Sequence, residues 1–342
     1  MIADRFYYGR LNKQEQQVYK ALYAGVAKCE RKVHTGRLPS PEKSVSSIIQ
    51  ALLMDNPHLY YFNGEKVHYS FSPMGVDFQL EYYFPVAEIQ KYNQEIQLRS
   101  TQIINTIKAN ASTEYERCKA LYDYFAKHFT YDKAAINTVS RTHKCYAHSM
   151  LGLFIQNTAV CEGISKAFKF LMNGMDIKCI VVSGSAKDWY TDGHAWNIVK
   201  INGSAYHIDM TWGINMSVHE LVRYDYFLIT DNIMMKDHGN FSTMPKCRDN
   251  SLDYYVRNSL EIDNSIYMKN VLKQMLQQRK TSIQLRMVRG NGKFAFTEDT
   301  DIATTVNEAI NEAHKEATGE GFEMNIGINQ TQRILHVIMK YK

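Results

Sequence analysis

The sequence lacks the features that are typical of secreted proteins, of membrane-spanning proteins and of proteins stabilised by structural metal ions. Its 342 residues contain six cysteines, no two of which form a Cys-x-x-Cys pair, so neither a zinc ribbon nor a dense disulfide framework is predicted. The longest apolar runs, such as residues 150–155, fall far short of the roughly 18 residues that a membrane-spanning helix needs. The first ten residues contain no apolar segment of the kind found in a secretory signal. We therefore expect no membrane span, and a protein that is either cytoplasmic or secreted and trimmed.

An excess of charge of one sign is also missing. Forty Lys and Arg residues are interleaved with thirty-five Asp and Glu residues, and the net charge of +5 is spread without a basic block. This distribution argues against nucleic acid as a partner. Asp299 and Asp301 lack the Gly and the terminal Glu that an EF-hand loop requires, so calcium is not expected. We predict no cofactor.

What the sequence does contain is a hydrophobic pattern that changes at two places. Residues 1–95 mix predicted helices and strands and form an N-terminal α/β extension. Residues 96–248 form a central core that holds the residues of chemical interest. Residues 249–342 follow a helix–strand–helix–strand–strand order, which predicts a small α+β domain. The predicted fold class of the whole chain is α+β.

Local signals set several helix starts. Asn12 with Glu15, and Thr113 with Glu116, have the spacing of a capping box, in which each side chain bonds the other's backbone N–H. Each pair precedes an apolar stripe of helical period. We therefore predict helices that begin just after residues 12 and 113.

Other segments have weaker signals. Residues 131–145 are polar and irregular, which predicts a surface loop. Two strands are predicted at about 322–328 and 333–340. A C-terminal helix is predicted from apolar residues at helical spacing: Ile302, Val306, Ala309, Ile310 and Ala313.

Cys161 stands where another helix is predicted to begin. The apolar positions that follow it at helical spacing are Ile164, Ala167, Phe168, Leu171 and Met175. Unbonded N–H groups and the positive end of the helix dipole favour a thiolate at such a position. Gly163 leaves one side of this first turn without a side chain, so we expect a substrate backbone to approach there. A lone cysteine at a helix start is more often structural than catalytic, so the interpretation depends on its neighbours.

Those neighbours lie on a predicted hairpin. Strands at 194–200 and 205–212 are joined by an Asn-Gly dipeptide, the strongest short signal for a two-residue type I′ turn. A turn of that length fixes the register and places His194 and Asp209 on one face as diagonal neighbours, within reach of a side-chain hydrogen bond. A loop of odd length would separate them.

These three residues supply the parts of a Cys-His-Asp triad. Cys161 would be the nucleophile, His194 the general base and acid, and Asp209 the carboxylate that orients the imidazole. The backbone N–H of Cys161 would be the first oxyanion donor. Weaker candidates for a second donor or a substrate contact are Gln156, Tyr146, Gly163 and Trp196. For Trp196, packing around the triad is favoured over substrate contact.

The polar residues also admit other interpretations. A metal site made of Cys161, His194 and His207 is disfavoured because a fourth ligand is missing, so we predict no metal. Three downstream residues are interpreted as loop caps and turn formers: Asp231, Asp237 and His238.

Three runs occur in a recognisable order: V-C-E-G-I-S at 160–165, G-H-A-W-N at 193–197 and Y-H-I-D-M-T-W at 206–212. They resemble the bacterial branch of the transglutaminase-like superfamily of papain-like folds. The resemblance extends over about 115–247 and includes P-K-C at 245–247. It implies a papain-like core in which a helix bears the cysteine and an antiparallel sheet bears the histidine and aspartate. The triad roles given above are the roles that it implies.

The resemblance also implies a function. We expect a cysteine-dependent acyl-transfer enzyme of peptidase, amidase or transglutaminase type that acts on a peptide or protein amide, with cell-wall peptides among the candidates. Glu162 follows Cys161 where animal transglutaminases carry Trp, and no tryptophan lies upstream of Cys161. Hydrolysis is therefore favoured slightly over cross-linking. The alternative is a binding or scaffold protein that keeps an inactive core of this kind. The oligomeric state is left open.

Overall fold

The structure is a computed structural model that describes residues 5–38, 41–187, 193–218, 221–290, 293–294, 304, 306–308, 310–312 and 322–341. The helices of these residues are α1 (Lys13–Ala27), α2 (Pro41–Asp55), α3 (Val86–Asn110), α4 (Glu114–His128), α5 (Arg141–His148), α6 (Met150–Gln156), α7 (Cys161–Gly174), α8 (Met210–Met216), α9 (Asp231–Met234), α10 (Tyr254–Arg257) and α11 (Ser265–Gln277). The strands are β1 (Lys32–Thr35), β2 (His68–Ser72), β3 (Gly75–Gln79), β4 (Thr130–Tyr131), β5 (Thr158–Ala159), β6 (Cys179–Ala186), β7 (His194–Ile201), β8 (Ser204–Ile208), β9 (Phe227–Ile229), β10 (His238–Gly239), β11 (Glu261–Ile262), β12 (Ser282–Met287), β13 (Arg289–Gly290), β14 (Lys293–Phe294), β15 (Phe322–Asn329) and β16 (Ile334–Tyr341).

Three larger sheets organise these elements. The N-terminal sheet has the order β1-β3-β2, the central sheet β10-β6-β7-β8-β9, and the C-terminal sheet β11-β12-β16-β15. All pairings in the first two are antiparallel, and β11 with β12 is the parallel pair of the third. The architecture is α+β, as the sequence predicts.

The two largest hydrophobic clusters of the described residues pack against the sheets. One runs from Val18 to Leu252 and joins the N-terminal helices to the central elements, and the other runs from Ile262 to Met339 in the C-terminal part. The boundaries near residues 95 and 248 stay predictions. None of the helices in the described ranges is long and apolar enough to cross a membrane.

Both predicted capping boxes are present. The Asn12 side chain accepts hydrogen bonds at the start of α1 while Glu15 reaches back to it. Thr113 and Glu116 do the same at the start of α4. The local sequence therefore sets these helix starts.

The predicted β-hairpin of the central sheet has the expected register. Asn202 and Gly203 have φ values of 50° and 90°, the left-handed region that a type I′ turn requires. Strands β7 and β8 pair as Ile201 with Ser204 next to the turn and as Asn197 with Ile208 at the far end. His194 thus begins β7, and Asp209 directly follows β8.

Two predicted boundaries are wrong. The strand predicted to run to Trp212 ends at Ile208, because the Asp209 side chain accepts a hydrogen bond from the Trp212 backbone N–H and starts helix α8. The loop predicted over 131–145 contains a short 3-10 helix and most of α5, which is capped by Ser140. In both cases a short polar residue starts a helix in a segment with little hydrophobic period.

Helix α7 is buried along most of its length. Its apolar face includes Ile164, Phe168 and Leu171, each fully buried. Lys169 on the same helix is also buried, and its ammonium group donates to the Cys179 carbonyl oxygen at 2.7 Å. Burial of each large apolar side chain of this helix contributes about 1.5–3 kcal/mol to the stability of the fold. Helix α7 is therefore a rigid support for its first residue.

The C-terminal part packs against the central sheet through polar contacts. Asn329 donates to Asp225 at 2.8 Å, and the Gln284 side-chain oxygen accepts from the Tyr224 backbone N–H at 3.2 Å. The predicted strands of the β15–β16 hairpin are present. Of the helix predicted from residue 302 to 313, Val306 and Ile310 are buried in the second cluster, while Ile302, Ala309 and Ala313 lie outside the described residues.

Candidate active site

Cys161 is the first residue of α7, directly after Val160, and its side chain is partly exposed. The backbone N–H groups of a first helical turn have no acceptor within their own helix. Cys29 is the other partly exposed cysteine, whereas Cys118, Cys145, Cys179 and Cys247 are buried. Burial raises the pKa of the Cys118 thiol well above its usual range, which keeps that group protonated and inert.

His194 lies between Cys161 and Asp209. Its Nε2 atom is 2.6 Å from Asp209 Oδ2, and the Cys161 side chain lies close enough to contribute to the raised pKa of His194. Burial acts to lower the pKa of His194, but the charge and hydrogen bond of Asp209, with the contact from Cys161, outweigh it and raise the pKa to about 10.

Asp209 is completely buried and accepts three hydrogen bonds. Its Oδ1 atom accepts from the Trp212 backbone N–H at 3.0 Å, and its Oδ2 atom accepts from two histidines, His194 and His238, the latter at 3.0 Å. Burial acts to raise the pKa of Asp209, but the two histidines hold it well below its usual range. The carboxylate is therefore ionised and fixed in place.

His238 is a member of this site that the sequence pattern indicates only as a turn former. Its Nδ1 atom lies 2.6 Å from Asp237 Oδ1, so each of its ring nitrogens faces a carboxylate. Strand β10 holds it by pairing with β6, and this close pairing depends on Gly184, where a Cβ would overlap the Gly239 carbonyl oxygen. The Asp-His dipeptide is visible in the sequence, but its position beside Asp209 is not.

The second histidine of the predicted hairpin, His207, faces away from the triad. Its Nδ1 atom accepts a hydrogen bond from the Trp196 indole N–H at 3.0 Å, so its proton is on Nε2 and is donated to Asp231 Oδ1 at 2.9 Å. Trp196 is fully buried and lies against both histidines: its ring stacks on that of His194 with centroids 5.9 Å apart and is tilted by 45° to that of His207. It is thus a packing residue, not a substrate contact.

Two groups of ligand-type side chains occur in the described part of the chain: His194, Asp209 and His238, and His207, Asp231 and Cys247. The predicted alternative of Cys161, His194 and His207 is not among them. In the second group, the Trp196 N–H occupies the lone pair of Nδ1 of His207, so Nε2 keeps its proton and is unsuited to a metal.

Three weaker candidates lie away from the chemistry or have another role. Gln156 is exposed at the end of α6. The Tyr146 hydroxyl is 2.6 Å from the Tyr92 hydroxyl, within an aromatic group that includes Phe84. The space beside Gly163 is filled by the chain itself, since a Cβ there would overlap the Ala147 carbonyl oxygen and lie 2.8 Å from that of Ser149. The prediction that Gly163 admits a substrate backbone is therefore wrong.

Tyr131 is a neighbour of Cys161 that the sequence pattern does not indicate. Strand β4 pairs with β5 so that Tyr131 lies opposite Ala159, two residues before the cysteine. Burial, with the nearby Cys161 sulfur and the Asp132 and Asp209 carboxylates, raises the pKa of Tyr131 to about 12. The phenol therefore keeps its proton at neutral pH and is able to donate a hydrogen bond.

Glu162 anchors the other side of the first turn of α7. It binds Lys166 at 2.6 Å and His148 at 3.1 Å. Burial acts to raise its pKa, but these two groups lower the pKa of Glu162 to about 2. The three side chains form one wall of a cavity of about 690 Å³ between α2, α5 and α7.

Comparison with known proteins finds a family match in the segment that contains Cys161, His194 and Asp209. Residues 101–210 match the family model of the Transglutaminase-like superfamily, so this segment is similar to a transglutaminase-like domain. Human kyphoscoliosis peptidase is 24% identical over 213 residues, and the mouse protein 23%; each alignment covers 57% of this chain and 31% of the relative. The chain thus spans about a third of the length of these curated relatives.

Two solved structures are similar to part of the chain. The crystal structure of a TGase is 18% identical, with a TM-score of 0.33, over 45% of this chain and 46% of that one. A candidate cysteine protease from Cytophaga hutchinsonii is 15% identical, with a TM-score of 0.28, over 40% of this chain and 50% of that one. At the coarse level, the family match supports a cysteine-dependent enzyme.

Proposed function

We propose that this protein is a cysteine-dependent acyl-transfer enzyme that forms a thioester on Cys161 and, in the main, hydrolyses it. The observation that carries the proposal is the buried His194–Asp209 hydrogen bond of 2.6 Å beside Cys161, which is partly exposed and near enough to His194 to contribute to its raised pKa. That order of nucleophile, base and orienting carboxylate is the order that acyl transfer requires.

In the acylation step, the Cys161 thiolate attacks the carbonyl carbon of an amide and forms a C–S bond. His194, as imidazolium, gives its proton to the leaving nitrogen as the C–N bond breaks, and an amine departs. Asp209 stays ionised throughout and holds Nε2 of the imidazole, so the proposal assigns the exchange of protons at the reacting centre to Nδ1. Its low pKa is consistent with that role.

The tetrahedral intermediate carries a negative oxygen that needs donors. The backbone N–H of Cys161, at the first position of α7, is the first donor in our proposal. The Tyr131 hydroxyl, which is near Cys161 and protonated at neutral pH, is the second. The sequence pattern alone favours Gln156 or Tyr146 for this second place, and the geometry favours neither.

In the deacylation step, His194 takes a proton from water, whose oxygen attacks the thioester carbon. The C–S bond breaks and the thiolate is restored, so the products are a carboxylic acid and the amine released earlier. An amine in place of water would give transfer instead. We propose a peptide or protein amide as the substrate, and cell-wall peptides are the first class to test.

The test is the rate at which iodoacetamide labels individual cysteines at neutral pH. Cys161 should react faster than Cys29, which is similarly exposed but has no histidine partner among the contacts described above. His194→Ala should remove this advantage. Equal rates for Cys161 and Cys29, unchanged by His194→Ala, would instead indicate the inactive scaffold. Nitrophenolate release from p-nitrophenyl acetate, with and without an added amine, then separates hydrolysis from transfer.

A further inference from the structure

Asp237 and His238 extend the triad on the side opposite the nucleophile. His238 Nε2 lies 3.0 Å from Asp209 Oδ2, and His238 Nδ1 lies 2.6 Å from Asp237 Oδ1. A carboxylate only accepts hydrogen bonds, so a histidine between two carboxylates donates from both nitrogens and is an imidazolium. His238 is 4% exposed and Asp237 is 3% exposed, so water does not replace these contacts.

The C-terminal part of the chain holds this pair. Gln332, in the turn between β15 and β16, donates from its side-chain nitrogen to Asp237 Oδ2 at 2.7 Å. The Tyr226 hydroxyl donates to the same oxygen at 2.6 Å. Gln332 is fully buried and also reaches the Ile233 carbonyl oxygen at 3.3 Å. A hydrogen-bonded path therefore leads from the C-terminal hairpin to Asp209.

The arrangement bears on catalysis because both histidines use the same oxygen. The imidazolium of His238 fixes Asp209 Oδ2 in the place where His194 meets it, with the two ring centroids 5.4 Å apart. Its positive charge also favours the ionised carboxylate, which opposes proton transfer from His194 to Asp209. A single neutral donor would satisfy the same oxygen without burying another charge, so hydrogen bonding alone does not account for the pair.

Among the described residues, the titratable groups that contact His238 or lie nearest to it are Asp209, Asp237, His194, His207 and Tyr226. Burial acts to lower the pKa of His238, but Asp209 and Asp237 raise it above its ordinary value. The shift favours the imidazolium form of His238.

We infer that Asp237 and His238 are positioning residues for Asp209, and that Gln332 makes the C-terminal part of the chain a component of the active site. This inference rests on the proposed function, since it assigns these residues a role through the His194–Asp209 pair.

The experiment compares Gln332→Leu and His238→Gln with Thr331→Ala, which changes an exposed residue of the same turn. The rate of iodoacetamide labelling of Cys161 is measured between about pH 5 and pH 8, where histidine charge changes matter, with Cys29 as the internal reference. The midpoint temperature of thermal unfolding is recorded for each variant. If either Gln332→Leu or His238→Gln fails to fold, the other still tests the inference.

We expect Gln332→Leu and His238→Gln to slow Cys161 labelling roughly 10-fold to 100-fold at neutral pH, since small displacements of a catalytic group have effects of this size. Both variants should also change the pH profile, whereas Thr331→Ala should leave both rate and profile unchanged. Nitrogen-15 spectra of labelled histidines should show both ring nitrogens of His238 protonated at neutral pH.

Lower thermal midpoints with an unchanged Cys161 rate and pH profile would mean a structural role and overturn the inference. Stoichiometric metal in the purified protein would also overturn it, because His194, Asp209 and His238 would then be ligands. If His194→Ala itself leaves Cys161 labelling unchanged, the proposed function fails. If His194→Ala slows labelling while the Gln332 and His238 variants do not, the proposed function stands and this inference alone fails.

Discussion

Nε2 of His194 lies 2.6 Å from Oδ2 of Asp209, and the two residues are 15 positions apart on either side of a two-residue turn. The distance is typical of a charge-assisted hydrogen bond. Because both side chains are buried, this contact links the protonation of the site to the stability of the fold.

The first prediction follows from that linkage. The pKa of His194 is raised from 6.5 to about 10 in the folded chain. A raised histidine pKa gives a stabilising contribution that is fully present below pH 6.5 and is lost as the pH rises toward about 10. The difference in free energy of unfolding between the parent chain and His194→Gln should therefore shrink across that window. Urea unfolding at a series of pH values measures it, and a difference independent of pH would contradict the prediction.

Asp209→Asn should separate catalysis from folding. Asparagine is also a good N-cap, so the start of α8 should survive. The imidazole of His194 would lose its orienting carboxylate, and the turnover of p-nitrophenyl acetate should fall about 10³-fold to 10⁴-fold. Asp231→Asn is the matched control, because Asp231 binds His207 rather than the triad. Equal losses in the two variants would argue against the assigned role of Asp209.

Tyr131→Phe tests the second oxyanion donor. Loss of one donor typically lowers acylation by about 10²-fold to 10³-fold, which the nitrophenolate burst would report. Iodoacetamide alkylation develops no oxyanion, so the labelling rate of Cys161 should stay within about 2-fold of the parent value. Tyr146→Phe is the control, since its hydroxyl is bound to Tyr92. A normal burst in Tyr131→Phe would remove this residue from the mechanism.

Gly163→Ala should destabilise the chain through packing. The added methyl would overlap the Ala147 carbonyl oxygen and press on that of Ser149, because α7 lies directly against this backbone. Overpacking of a tight interior costs about 1–3 kcal/mol, measured as a lower free energy of unfolding. Gly9→Ala is the control, since a Cβ at Gly9 meets nothing within 4 Å. Similar unfolding curves for the two variants would show that helix α7 can shift away from this backbone and accommodate the added methyl group.

The parts of the site that the sequence predicts are those set by local rules. The Asn202-Gly203 turn allows one register, so the approach of His194 to Asp209 follows from the turn and the spacing of the two residues around it. The start of α7 follows from the apolar period after Cys161. By contrast, the segment after Ile208 is predicted as strand because its apolar and polar residues alternate. This pattern gives no sign that Asp209 caps a helix.

The residues behind the triad depend on distant pairings. His238 is 29 positions from Asp209 and reaches it because β10 pairs with β6 at the edge of the central sheet. Gln332 is 95 positions from Asp237. No local sequence pattern predicts contacts between residues so far apart. From the sequence alone, Asp237 and His238 are therefore interpreted as ordinary turn residues.

The order of these residues along the chain also sets the order in which the site is completed during synthesis. Cys161 leaves the ribosome first and Gln332 last, with about 170 residues between them. At roughly 5–20 residues per second, the nucleophile exists for several seconds or more before its most distant support is made. If Gln332 supports the site as we infer, the Cys161 thiol of a nascent chain should become fully reactive only after the β15–β16 hairpin has docked.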